Sequence, residues 1–182
     1  MNELKEYTHL LNLMNYDEQP TDFEDISVGS GWKQLILDFL EYTDGVSRSQ
    51  HLYLKFAETY KPTNGREYGL VDLEGDPLLY VKVVQIKEKF GVLRLYYDCD
   101  INPKIDDINF EMFDESDFRR LVDRRRSQIE GFLDAIVTQS GRTCEYTGER
   151  GRLYRSTNGW FKTVTAEYAE TRNFTLVKTD EG

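Results

Sequence analysis

The chain is poor in the residues on which most enzymes and metalloproteins depend. Its 182 residues include two cysteines, Cys99 and Cys144, and two histidines, His9 and His51. Two cysteines do not make a disulfide framework. Neither histidine has a cysteine or serine close by in a recognisable nucleophile setting, and Cys144 lacks the second thiol of a C-x-x-C pair. No G-x-x-x-x-G-K-[ST] phosphate loop and no G-x-G-x-x-G turn occurs. No apolar run approaches the ~20 residues of a membrane span. The opening MNELKEYTHLLNLMNYDEQ lacks the basic start and small-residue cleavage site of a secretory signal. These absences predict an intracellular, cytoplasmic protein with no membrane partner, no cofactor and no catalytic centre.

Charge, by contrast, is plentiful. Charged residues make up 31% and aromatics 13%, a globular rather than a disordered composition. The net charge of −10 is uneven: residues 1–118 carry 11 basic and 24 acidic residues, and residues 119–182 carry 12 and 9. An acidic front repels a nucleic-acid backbone. It suits a basic protein partner, or the groove in which such a partner holds nucleic acid. The competing reading is that acidity only keeps the chain soluble.

The strongest structural signal is 81–98, VKVVQIKEKFGVLRLYYD. β-branched and aromatic residues flank a reversal at Gly91, and Leu93, Leu95 and Tyr97 share one face against Arg94 and Tyr96. This predicts a central hairpin, which needs other elements to cover its apolar side. Leu4, Tyr7, Leu11 and Met14 form one stripe of a helix over 3–15. Residues 16–29 read as an acidic loop. Ser30 caps a second helix, with Trp32, Leu35, Ile36, Phe39 and Leu40 on one face and Gly45 as its stop. Residues 51–58 and 67–73 read as strands around a turn at 63–65, with a short helix over 50–60 as the competitor. Together with the hairpin they predict an antiparallel sheet of about four strands. A long helix follows over about 117–139, capped by Ser116 or Asp117. Glycine-punctuated short strands fill 142–170. The fold class is α+β, with a core domain over 1–140 and a small lobe over 141–182.

Several of these segments together resemble a known group. Gly31-Trp32, then 83–91 (VVQIKEKFG) with Leu93-Arg94-Leu95-Tyr96, then Arg142-Thr143-Cys144-Glu145, Gly148, Gly151, Gly159-Trp160 and Thr163 are similar to a family of small phage, prophage and bacterial proteins. Its pattern is GW…QIKEKFGxLRFY…RTCExCGxxG…GWxxTLCxxH. The resemblance implies a C-terminal zinc knuckle of three cysteines and one histidine, a closed structural site. Position by position, this chain keeps only Cys144. Thr147, Thr165 and Tyr168 stand at the other ligand positions, and hydroxyls and a phenol are poor zinc ligands. The resemblance therefore implies a degenerate knuckle without metal, held by Tyr146, Leu153, Tyr154, Trp160, Phe161 and Tyr168. Cys144 sharing a metal with Cys99 or His51 is the alternative.

Two surfaces compete for function. The first is acidic: Asp17, Glu18, Asp22, Glu24 and Asp25, with Asp106, Asp107, Glu111, Asp114 and Glu115. With the phage context that the resemblance implies, it points to a non-enzymatic inhibitor of a host defence complex, of the anti-CRISPR kind, seated in a basic groove. The second is basic: Arg119, Arg120, Arg124 and Arg126 on the long helix, with Arg142, Arg152 and Arg155, which can grip phosphate or pair with neighbouring acids. The carboxylates over 98–117 could hold divalent cations for nucleolytic chemistry, although the calcium-loop spacing is absent.

Overall fold

The computed structural model describes residues 3–48, 51–73, 75–103, 105 and 108–178. Asp106 and Asp107 lie outside the described residues. The architecture is α+β: α1 (Lys33–Ser47), β1 (His51–Lys55), β2 (Tyr68–Asp72), β3 (Leu79–Lys89), β4 (Val92–Ile101), α2 (Glu115–Ser140), β5 (Arg152–Arg155), β6 (Phe161–Val164), α3 (Ala166–Thr171) and β7 (Thr175–Leu176). Among the described residues the strands form three small sheets, β1-β2, β3-β4 and β6-β5-β7, not one sheet of four. The chain divides into two compact units: the described residues of Met1–Glu41, Lys82–Tyr97 and Gly131–Gly182, and those of Tyr42–Val81 and Asp98–Glu130.

The first unit is built round the tip of the hairpin. Phe90 and Gly91 carry the reversal with φ of 54° and 77°. Two consecutive positive φ values are what a two-residue type I′ loop requires. Gly91 takes this conformation freely, whereas Phe90 does so at a steric cost of about 1–2 kcal/mol. Leu93 and Leu95 are buried, with Arg94 and Tyr96 on the other side, as the alternation predicts. Along β3 the buried residues are Leu79, Val81, Val83 and then Ile86, so the inward phase shifts by one residue after Val83.

The N-terminal segment departs from the predicted helix over 3–15. A 3₁₀ helix spans Glu3–Leu10 and ends there. Leu11 then bridges Val83 in parallel, and the Asn12 and Met14 amides donate to the Val83 and Val84 carbonyls at 2.9 and 3.1 Å. The side-chain period accordingly changes from helical to alternating: Leu11 and Leu13 are buried and Met14 is 72% exposed. This segment occupies the β3 edge, which is one reason β3 does not extend into a four-stranded sheet.

α1 begins through a 3₁₀ turn at Ser30–Trp32. Ser30 is not its cap; its hydroxyl donates to the Tyr146 carbonyl at 3.1 Å. Trp32, Ile36, Phe39 and Leu40 are fully buried, as their spacing predicts. Gly45 does not stop the helix, which runs on to Ser47.

In the second unit β1 and β2 pair antiparallel, from His51 opposite Asp72 to Lys55 opposite Tyr68. Of the two readings the strand over 51–58 is therefore the correct one, although it ends at Lys55. Leu52 and Leu54 point inward, while Tyr68, Leu70 and Asp72 of β2 are exposed. The Leu78 amide donates to the Ser47 carbonyl instead of to β2. Phe56 and Phe113 stack at 5.3 Å beside Gly69. α2 is capped by Asp114, not by Ser116 or Asp117. Its Oδ1 accepts from the Ser116 amide at 2.8 Å, the Ser116 hydroxyl at 2.6 Å and the Asp117 amide at 3.3 Å.

Candidate functional site

The acidic residues of the first unit lie on an ordered loop. Asp22 caps a 3₁₀ turn at Phe23–Asp25, whose Phe23 is buried, and the Tyr16 hydroxyl donates to the Asp25 carbonyl at 2.8 Å. Phe23 and Ile26 anchor the loop, so Asp17, Glu18, Glu24 and Asp25 are left exposed. Among the described residues, none of these four forms an ion pair. Lys33 lies within their field: a hydrogen bond from its ammonium to Glu3, with the charges of Glu3, Asp22 and Glu24, raises its pKa above the usual 10.5 despite some desolvation.

On the charged surface of the second unit, two acids and two arginines pair with each other. Glu115 pairs with Arg119 at 2.6 Å and Asp117 with Arg120 at 3.2 Å. Asp117 also accepts from the Lys55 amide at 2.9 Å. Asp114 is held below the ordinary carboxylate pKa, first by the Ser116 hydroxyl and then by the helix amides. Glu111 and Arg124 are exposed. Arg126 donates to the Cys99 carbonyl at 3.1 Å, and its Nε is buried without a partner. Burial raises the Cys99 thiol pKa, against the pull of Arg126. Arg142, Arg152 and Arg155 are exposed but belong to the first unit. Among the described residues, no three His, Cys, Asp or Glu side chains converge as metal ligands would.

The resemblance segments do converge, within the first unit, and their meeting point was not foreseen from composition or spacing. Gly31 packs against the 144–148 turn so closely that an added Cβ would lie 2.1 Å from the Cys144 oxygen. Its amide donates to the Glu145 carbonyl at 2.8 Å, and the Trp32 indole donates to the Thr143 carbonyl at 2.9 Å. The Thr163 hydroxyl donates to the Gly91 carbonyl at 2.6 Å, while Glu88 accepts from the Gly91 amide at 2.6 Å. At the centre lies Glu145, 2% exposed, paired with Lys162 at 2.7 Å. Lys162 also reaches Glu88 at 3.4 Å. Burial alone would lower the Lys162 pKa; the hydrogen bond and charge of Glu145, with Glu88, more than reverse this and raise it. The second Glu145 oxygen, Oε2, is buried without a hydrogen-bond partner. Tyr146 is pushed far up by burial and then by Glu145, and its ring stacks on Tyr168 at 4.6 Å.

The four positions at which the resemblance would set zinc ligands are occupied otherwise. Cys144 is a buried free thiol among Tyr154, Val164 and Ala169. Thr147 is exposed beside Glu149. Thr165 caps α3 by accepting from the Tyr168 amide at 3.2 Å, and Tyr168 packs between Tyr146 and Phe174. Trp160 is not part of this packing: it is 70% exposed. It sits on a closed turn in which the Ser156 amide donates to the Trp160 carbonyl at 2.7 Å and the Trp160 amide to the Ser156 hydroxyl at 3.0 Å.

No protein-family model, curated protein or solved structure matches the chain. Among the described residues, no helix is long and apolar enough to cross a membrane.

Proposed function

We propose that the chain is a non-enzymatic protein of a phage or other mobile element. In this reading it acts in the host cytoplasm by docking its acidic loop in a basic groove of a host protein or nucleoprotein complex, as an anti-CRISPR inhibitor does. The observation that carries the reading is the contrast between the two charged surfaces. Asp17, Glu18, Glu24 and Asp25 are exposed on a structured loop and form no ion pair among the described residues. Arg119 and Arg120, two of the five arginines of α2, are already paired. Preorganised, unpaired carboxylates favour a cationic partner and chiefly accelerate encounter and set specificity. The 143–168 segment fits the same reading as a knuckle that keeps its shape without an ion, with Tyr168, stacked on Tyr146, and the Thr165 cap at two of the implied ligand positions.

The test is a variant with Asp17, Glu18, Glu24 and Asp25 all changed to Lys. The wild-type chain should co-purify with a basic nuclease complex and block its interference in a plaque assay, with both effects weakening as salt rises. The variant should lose both while keeping its melting temperature. Full protection by the variant would refute the acidic-loop assignment.

A further inference from the structure

We infer that the first unit carries a second binding surface, an aromatic ridge with cationic flanks that stacks single-stranded nucleic acid. The ridge is formed by Phe90 at the hairpin tip and Phe161 on β6, whose rings meet edge-on at 6.5 Å, with Trp160 next in the chain. Phe90 is 65% exposed and Trp160 70% exposed. A large aromatic at φ 54° gains little from burial here, so its strained display favours a ligand over folding. Trp160 is held out by a turn closed with three hydrogen bonds, two between Ser156 and Trp160 and one from the Gly159 amide to the Ser156 carbonyl.

Each ring of the ridge borders a cleft. One, of about 770 Å³, is lined by Phe161, Arg155 and the polar 156–158 turn; the other, of about 400 Å³, by Phe90, Lys89 and Arg94, with Asp134 as its one acid. Lys89, Arg94 and Arg155 form no ion pair among the described residues. The Lys89 ammonium lies 5.5 Å from the Phe90 ring centre. In a chain of net charge −10, three unpaired cations around exposed rings are a local reversal of sign. Rings for bases and cations for phosphates are the two components of sequence-tolerant single-strand binding. A duplex keeps its base faces stacked and offers the rings nothing. The surface shares no residue with the acidic loop, so this inference holds or fails independently of it.

The native fluorescence of the full chain provides the assay, because Trp32 is fully buried and Trp160 is exposed. Titration with an oligothymidylate of about 12 nucleotides should quench Trp160, and the matching duplex should not. The log affinity should fall with log salt at a slope of about −2, from three phosphate contacts on a single strand. Trp160→Ala should weaken binding about 5- to 150-fold, and Arg155→Ala should flatten the slope by about 0.7. Phe90→Asn, which tolerates a positive φ, should weaken binding without lowering the melting temperature. Absence of quenching, equal affinity for duplex, or unchanged affinity in both Trp160→Ala and Phe90→Asn would overturn the inference. So would a ridge that these variants show to be needed for capture of a host protein while the oligonucleotide never binds.

Discussion

Removing the Lys162 ammonium tests whether the junction depends on its buried charge. Glu145 is 2% and Lys162 24% exposed, with the two charged groups 2.7 Å apart. At an effective dielectric of about 20 this separation gives a gross attraction of about 6 kcal/mol. Desolvation of the two groups offsets most of it, so the intact pair adds little net stability. The cost appears when one partner is removed. Lys162→Met leaves a buried carboxylate that already has one oxygen without a partner. One-sided deletions of buried pairs cost about 3–5 kcal/mol, and water entering on the Lys162 side puts this one near 3. For a chain of this size that is a drop of about 6–12 °C in melting temperature, readable by circular dichroism at neutral pH. Glu145→Met combined with Lys162→Met should recover to within about 1 kcal/mol of wild type, because the fully buried charge is gone and Glu88, 20% exposed, keeps its bond from the Gly91 amide. A melting temperature for Lys162→Met within about 2 °C of wild type, or a double variant no better than the single, would refute the reasoning. The pH dependence has a definite sign. Lys162 has its folded pKa raised above 10.5, so the pair's contribution is complete below that pH and is lost as pH rises through the folded value. Tyr146 is raised from 10.0, so the unfolded phenol ionises first and stability again falls on the alkaline side.

Two further outcomes follow from local geometry. Gly31→Ala would place a Cβ 2.1 Å from the Cys144 oxygen and 2.4 Å from the Gly148 nitrogen, both backbone atoms. It should cost about 3 kcal/mol or prevent folding, whereas Gly45→Ala, with open space around it in α1, should add about 0.5–1 kcal/mol; urea midpoints distinguish the two. Asp114→Ala should lower the melting temperature at neutral pH by removing the α2 cap. Because the folded pKa of Asp114 is depressed below 3.8, its contribution is present above that value and lost as pH falls through the folded one. The two melting curves should therefore converge in strong acid.

The hairpin, α1 and α2 were legible because each carries a clear period: alternation through Leu93 and Leu95, helical spacing from Trp32 to Leu40 and from Phe118 to Ile136. The N-terminal stripe misled because Leu4, Tyr7, Leu11 and Met14 fit a helix, while the backbone of 11–14 finds stronger pairing on β3. Turn chemistry located the β1–β2 reversal but could not say that Leu78 would bond Ser47. Gly45 illustrates the same limit: one glycine is a weak stop when the helix can continue at modest cost. α3 left a trace that was not read, a threonine ahead of Ala166-Glu167, which is an N-cap pattern. For the candidate surfaces, the exposed acids were readable from charge density. The pairing of Arg119 and Arg120 was foreseen as an alternative, through helical spacing. Glu145 and Lys162 were invisible as a pair, because 17 positions of chain separate them and nothing local marks a carboxylate as buried.

The junction also bears on what a shared sequence pattern can mean. Gly31 is required by close backbone approach, Trp32 by its bond to Thr143, Glu88 and Thr163 by their hold on the Gly91 peptide, and Glu145 by Lys162. Each has a packing duty that would preserve it whether or not any chemistry occurred nearby. A chain with these residues in this order is therefore constrained to build the same joint, and the joint by itself says nothing of a ligand. The residues free of such duty are the ones that can differ in function: Asp17, Glu18, Glu24 and Asp25, and the rings at Phe90 and Trp160 that the joint's flanking turns hold in water. On that division, substitutions in the joint lower stability and binding together, whereas substitutions in the loop or the ridge lower binding alone.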